Sequence, residues 1–206
     1  MKLLDGKICI VTGSNTGIGK ETAAALAATC VFLIFVLMIV GGVGRQLNFP
    51  VSGVNDIVSG PYWYAGPDFK SRHAFYEPVQ QELEKNPTNS MFSFIADFNG
   101  DGRPDILVLG RVLHHQAFWY ENPGAAEATK PDARWKKHFV TNRVFGEAPL
   151  FVDVDGDGKP ELLSISGTTD KDKIKQWGWY APNWSEPTKP WKFVPVTEPG
   201  DFNHYY

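Results

Sequence analysis

The sequence predicts a mainly β fold: a partial β-propeller of about two to three blades of four-stranded antiparallel sheet, preceded by an N-terminal hydrophobic helix. An acidic, glycine-rich stretch recurs after 56 residues (97 to 153), and aromatic tripeptides recur with it. The 20 Gly, 15 Pro and 14% aromatic residues suit short strands joined by tight turns. Repeats of this size are typical of propeller blades, which bury together the faces that one blade cannot bury alone.

Composition limits the classes of partner. The net charge is −3 at pH 7 and no block of Lys or Arg stands out. We exclude nucleic acid, because its phosphates need a basic surface. The two cysteines, Cys9 and Cys30, give neither a disulfide framework nor a zinc-ligand spacing. With 43% apolar and 21% charged residues, the chain can form a globular core.

Residues 1–28 are predicted to form a Rossmann-like fragment of strand, glycine-rich turn and helix start. Gly13, Gly17 and Gly19 stand between an apolar tetrapeptide and a helix-prone stretch. Glycines in this place let the backbone approach the pyrophosphate of NAD(P) at a helix N terminus. The stretch resembles the start of a short-chain dehydrogenase/reductase, which implies a cofactor site. The catalytic Tyr-x-x-x-Lys of that family is absent, so the alternative function is an inactive fragment or fusion.

Residues 23–44 are predicted to form a transmembrane or signal-anchor helix. They carry no charge, and a helix needs about 20 such residues to cross a bilayer. Lys7 and Lys20 precede this run, whereas the next basic residue after Arg45 is Lys70. That asymmetry favours a membrane-anchored protein with its C-terminal part extracytoplasmic. A cleaved signal peptide, giving a secreted protein, and a buried segment of a soluble core are the alternatives.

Residues 48–206 carry the repeat. The nine residues 97–105 align without gaps on residues 153–161, with apolar residues on both sides of each stretch. Each stretch is therefore predicted to be a loop between two neighbouring strands, and its glycines allow the positive φ of a tight turn. Aromatic motifs containing Trp-Tyr accompany the loops at residues 62–64, 118–120 and 178–180.

The loops have the chemistry of a calcium site. Oxygens from side chains 1, 3, 5 and 9 and from the backbone carbonyl of position 7 can surround a hard cation that prefers six to eight oxygen ligands. The acidic side chains of one loop would repel one another without such a cation. An EF-hand has Glu at position 12, where these loops have Val108 and Ser164, so the loops are of another type. A plain turn that binds nothing is the alternative.

The repeats resemble FG-GAP-like or VCBS repeat proteins, whose calcium-loop blades build integrin-type β-propellers on secreted and surface proteins. This resemblance covers residues 48–206 and implies Ca²⁺ ligands in both loops. In the first loop the implied ligands are Asp97, Asn99, Asp101 and Asp105, with the carbonyl of Arg103. In the second loop they are Asp153, Asp155, Asp157 and Glu161, with the carbonyl of Lys159.

An earlier unit departs from this pattern. When Asp56 is aligned with Asp105, the other ligand positions hold Asn48, Pro50 and Ser52, so no ion is expected there. The function predicted from the whole sequence is adhesion, ligand binding or scaffolding by a calcium-binding extracytoplasmic segment, without enzymatic activity. Its partner would be an extracellular protein or a carbohydrate, although the recurrence of the Trp-Tyr motifs in each unit favours a packing role for them.

Overall fold

The computed structural model describes four stretches of the chain: residues 56–79, 90–110, 116–167 and 175–200, with the backbone alone at residues 146–148. These stretches contain eleven strands and one short helix, α1 (Ala125–Ala128). The strands are β1 (Ile57–Ser59), β2 (Tyr62–Tyr64), β3 (Arg72–Ala74), β4 (Phe92–Ala96), β5 (Asp105–Leu109), β6 (Ala117–Glu121), β7 (Lys136–Thr141), β8 (Val144–Val152), β9 (Glu161–Gly167), β10 (Lys175–Ala181) and β11 (Lys192–Pro195).

The strands form three antiparallel sheets, each ordered as it runs along the chain. The first sheet is β1-β2-β3, the second is β4-β5-β6-β7 and the third is β8-β9-β10-β11. The mainly β fold of antiparallel sheets is therefore confirmed. The fragment 1–28 and the apolar run 23–44 lie outside the described residues, so the N-terminal helix stays a prediction. Within the described stretches, no helix is long and apolar enough to span a bilayer.

The three sheets repeat one strand register, which confirms that one unit is reused. In each sheet the Tyr of the Trp-Tyr motif, on β2, β6 or β10, lies opposite the aligned aliphatic residue of the preceding strand. The pairs are Ile57 with Tyr64, Ile106 with Tyr120, and Leu162 with Tyr180. The acidic residue that precedes the aliphatic one, Asp56, Asp105 or Glu161, is therefore equivalent in all three sheets, as the sequence alignment predicted.

Each sheet has two faces, because successive strand residues point to opposite sides. The face that carries Trp63, Trp119 or Trp179 is called here the trailing face of its sheet, and the opposite face is called the leading face. Across the trailing face of the second sheet runs a row of directly opposed residues, all of them buried: Phe94, Leu107, Trp119 and His138. The corresponding row on the leading face of the third sheet is Phe151, Leu162, Tyr180 and Phe193.

These two rows meet in one hydrophobic core. Phe94 packs on Phe151 with ring centroids 5.6 Å apart, and Trp191, the residue before β11, belongs to the same cluster. Two hydrogen bonds tie the sheets together: the backbone N–H of Trp191 donates to the carbonyl of Val140 (3.1 Å), and Trp119 Nε1 donates to the carbonyl of Pro187 (3.1 Å). The third sheet thus covers the trailing face of the second.

The first and second sheets pack in the same way. Val58, Trp63 and Phe75 of the first sheet are buried with Tyr120 and Trp135 of the second. The backbone N–H of Trp135 donates to the carbonyl of Phe75 (2.8 Å), the counterpart of the bond from Trp191. The packing of one sheet's leading face on the preceding sheet's trailing face therefore occurs twice in this molecule.

Phe98, the second residue of the first loop, lies at the centre of the core between the second and third sheets. Its ring contacts Trp119, Trp191 and Trp184 at centroid distances of 5.5, 5.4 and 5.9 Å, and it is 2% exposed. A loop residue thereby anchors the loop to the next sheet.

We expect Phe98→Ala to lower the free energy of unfolding by about 3–5 kcal/mol, because a buried ring is lost and a cavity remains. Phe139→Ala is the matched control, since Phe139 is 40% exposed, and should cost about 1 kcal/mol or less. Urea unfolding followed by tryptophan fluorescence measures both. Equal losses for the two variants would contradict this account of the core.

Candidate metal centre

The first loop, residues 97–105, joins β4 to β5 and wraps its backbone around its own acidic side chains. Asp97 Oδ1 accepts from the N–H of Gly100 (2.8 Å) and of Asp101 (3.0 Å), while its Oδ2 accepts from Gly102 (2.8 Å). Gly100 and Gly102 have φ of 75° and 83°, a region that glycine enters without strain. The turn therefore presents the side chain of position 1 to its interior.

The second loop, residues 153–161, joins β8 to β9 and repeats this pattern. Asp153 Oδ1 accepts from the N–H of Gly156 (2.8 Å), and its Oδ2 accepts from Gly158 (3.0 Å). Asp157 Oδ1 accepts from the N–H of Lys159 (2.7 Å), as Asp101 Oδ1 does from Arg103 (2.8 Å) in the first loop. That both loops join neighbouring strands is confirmed.

The second loop brings together three of its predicted ligands. One oxygen each of Asp153, Asp155 and Glu161 lies within 4.8 Å of the other two, the one place among the described residues where three such groups meet. Asp157 is not part of this group. In the first loop the middle position is Asn99, so the corresponding set contains one carboxylate fewer.

The acidic residue at position 9 has a second task that the sequence analysis missed. Asp105 is fully buried; its Oδ2 accepts from the N–H of Phe98 (2.9 Å) and its Oδ1 from the N–H of Asn122 (2.8 Å). Glu161 Oε2 likewise accepts from the N–H of Val154 (2.8 Å), the counterpart of Phe98. This carboxylate therefore joins the loop to the start of the following strand, β5 or β9. In the second sheet it also joins the loop to Asn122, the residue after β6.

Burial disfavours the charged form of these carboxylates. Desolvation raises the pKa of Asp105 to about 7, against the stabilising hydrogen bonds from Asn122 and Phe98, and the nearby Asp101 and Asp97 add to the rise. Desolvation also raises the pKa of Glu161, helped by the three aspartates of its loop. Each loop thus holds negative charge at a cost that a bound cation would offset.

The basic residue at position 7 behaves differently in the two loops. The Arg103 guanidinium pairs with the carboxylate of Asp101, and Arg103 Nε donates to the carbonyl of Asn122 (2.9 Å). Lys159 instead places Nζ over the ring of Trp184, 5.4 Å from its centroid. One predicted ligand of the first loop is therefore already paired with a cation of the protein itself, and its equivalent in the second loop is not paired with Lys159.

The other predicted sites lie elsewhere. Gly13, Gly17 and Gly19, the residues of the NAD(P) hypothesis, are outside the described residues, as are Asn48, Pro50 and Ser52 of the earlier unit. Those assignments stay predictions. Asn122 was not predicted, and the repeat gave no signal for it, because the equivalent positions hold Gly66 and Pro182.

Repeated antiparallel sheets, with acidic glycine loops between neighbouring strands of a sheet, define a class of β-repeat protein. Residues 97–164, which include both loops, match the family model of the FG-GAP-like repeat. That match supports the FG-GAP-like resemblance over these residues, whereas the resemblance of the N-terminal stretch to a short-chain dehydrogenase/reductase stays a prediction. Comparison with curated proteins gives no match. Comparison with solved structures gives none either.

A pH effect follows from Asp56, the position-9 residue of the first sheet. It is 6% exposed, and desolvation raises its pKa to about 6 from an ordinary 3.8, although the N–H of Gly66 donates to its Oδ1 (2.8 Å). Between these values the folded chain holds a proton that the unfolded chain has lost. Its contribution to stability is therefore present below pH 4 and is lost as the pH rises through 6.

We expect Asp56→Asn to gain stability relative to the parent protein as the pH rises from 4 to 7, by on the order of 2–3 kcal/mol. Urea unfolding in EDTA at a series of pH values measures this difference. Asp68→Asn, at a carboxylate 59% exposed, is the control and should show no such trend. A difference for Asp56→Asn that does not change with pH would contradict the assignment.

Proposed function

We propose that residues 48–206 are a calcium-binding repeat segment of an extracytoplasmic β-propeller that serves adhesion, ligand binding or scaffolding rather than catalysis. The observation that carries the proposal is the convergence of Asp153, Asp155 and Glu161 within 4.8 Å, in a stretch that matches the FG-GAP-like repeat. Three carboxylates this close repel one another, and a divalent cation removes that repulsion.

The donor chemistry of both loops fits calcium. Every predicted side-chain ligand is a carboxylate or amide oxygen, which hard cations prefer, and neither loop contains a His or Cys that would favour zinc. Calcium would be held in the second loop by Asp153, Asp155, Asp157, Glu161 and the carbonyl of Lys159. Bound there, it would neutralise the loop and fix the turn that leads into β9.

The first loop would bind calcium more weakly. It offers Asp97, Asp101 and Asp105 with the amide of Asn99, one charge fewer than the second loop. The guanidinium of Arg103 pairs with Asp101 and must release that carboxylate when the ion enters. Both differences reduce the attraction between this loop and a divalent cation.

The propeller arrangement is supported by the twice-repeated packing of successive antiparallel sheets, and an extracytoplasmic location by the family match. Exposed loops of moderate affinity suit the millimolar calcium found outside cells. The anchor predicted for residues 23–44 would hold the repeat segment at a membrane surface. A binding role in that place needs rigid loops on a covered core, which calcium would supply.

Calcium should raise the Tm of the protein, because binding increases the free energy of unfolding. The increase is about 1.4 kcal/mol for each tenfold excess of free calcium over the dissociation constant of a site. Differential scanning calorimetry at increasing calcium measures this rise. Asp101→Ala combined with Asp157→Ala should abolish it, whereas Asp132→Ala, an exposed acid outside the loops, should leave it unchanged. A Tm that does not respond to calcium would refute the ion site.

Removal of the Arg103 guanidinium, which pairs with Asp101, should strengthen calcium binding by the first loop. Arg103→Gln is expected to tighten calcium binding there by about two- to fivefold, the value of one partly exposed ion pair. Titration calorimetry in an Asp157→Ala background, which leaves the first loop, measures the change. Lys159→Gln in an Asp101→Ala background removes the same charge and should change the second loop less; equal effects would assign both to net charge alone.

A further inference from the structure

The trailing face of the third sheet is open where that of the second sheet is covered. Its directly opposed row consists of Leu150, Leu163, Trp179 and Val194. Leu150 is 44% exposed, whereas its counterpart Phe94 is 3% exposed. Val196 is 64% exposed, whereas its counterpart Val140 is fully buried. Val154, the counterpart of Phe98, is 37% exposed.

The molecule itself shows what covers such a face. Twice, the trailing face of one sheet is covered by the leading face of the next, whose central row contains an aliphatic residue followed by Tyr. In both cases the backbone N–H of a Trp, Trp135 or Trp191, donates to the carbonyl of the residue equivalent to Val196. These residues are Phe75 and Val140. The occupant that fits the open face is therefore the leading face of another such sheet, and an exposed apolar surface of this kind marks an interface.

We propose that a second copy of this chain covers this face with the leading face of its first sheet. That sheet carries the equivalent row Ile57, Tyr64 and Arg72. Tyr62 and Tyr64 are half-buried there, and Arg72 is exposed with its guanidinium 4.6 Å from the Tyr62 ring centroid. Ile57 is already buried within one copy, at 6% exposed, so the open part of this surface is the aromatic pair Tyr62 and Tyr64 with Arg72, which would meet the aliphatic residues and Trp179.

The contact is head-to-tail, because the trailing face of one copy meets the leading face of another. The rotation between the two copies decides whether the assembly closes into a ring. A head-to-tail contact forms a ring if its rotation closes, and otherwise a filament. Two copies of the three sheets that the structure describes supply six such units, within the range of about four to eight in propellers. Closure into a dimer rests on the propeller arrangement proposed above, whereas the pairing of the two faces rests on the interface seen twice in the structure. The association should be reversible, because Lys70 stands where the equivalent positions have Trp135 and Trp191.

Sedimentation equilibrium of the full chain in a mild nonionic detergent tests the proposal. We expect a concentration-dependent dimer that Leu150→Glu weakens at least about tenfold, because a charge would then be buried in the contact. Phe139→Glu is the matched control: Phe139 is 40% exposed, is equally apolar and lies outside the row, so this variant should dimerise normally. A monomer at all concentrations, or a dimer that Leu150→Glu leaves unchanged, would overturn the proposal.

Photo-cross-linking identifies the surface that is contacted. A benzophenone amino acid at position 196 should join two chains, with the linked peptide in residues 56–79 of the other copy. The same group at position 132 should give no such product. Linkage of position 196 to residues 144–200 of the other copy would show a face-to-face contact and overturn the proposal. Calcium binding, measured in parallel, is independent: a protein that dimerises through this face without binding calcium refutes only the proposed function.

Discussion

The structure depends on one constraint: a four-stranded sheet with apolar residues on both faces must be covered on both. In the second sheet the buried row through Leu107 and Trp119 meets the third sheet, and the opposite row through Ile106 and Tyr120 meets the first. No sheet of this size buries both of its faces alone. Stability is therefore shared between neighbouring units, and a unit's surroundings decide which of its residues are core residues.

The first loop takes part in the packing between sheets. Phe98 lies between two ligand positions of the first loop and is also the centre of the inter-sheet core. Asp105 closes the same loop by accepting hydrogen bonds from the backbone N–H of Phe98 in the loop and of Asn122, the residue that follows β6. Ion binding and sheet packing are consequently linked, because both act on the same few residues.

Sequence reasoning was most successful where chemistry is local. The gap-free repeat predicted the loops between neighbouring strands, and the alignment of Asp56 with Asp105 agrees with the strand register. It did not find the pairing of Arg103 with Asp101, because an arginine at position 7 was read only for its carbonyl. Nor did it show that the two loops differ in exposure: Phe98 of the first loop packs on Trp184 and Trp191, whereas its counterpart Val154 is 37% exposed.

By itself the sequence determined the β-repeat class, the length of the unit and the oxygen-rich character of the loops. These properties follow from residue types at fixed spacing, and from the conformations that glycine permits. Only the tertiary structure decided which of two equivalent residues is buried: Phe94 is covered and Leu150 is open, although the repeat treats them alike. The physical reason is that burial belongs to the contact between sheets, which no single unit of sequence contains.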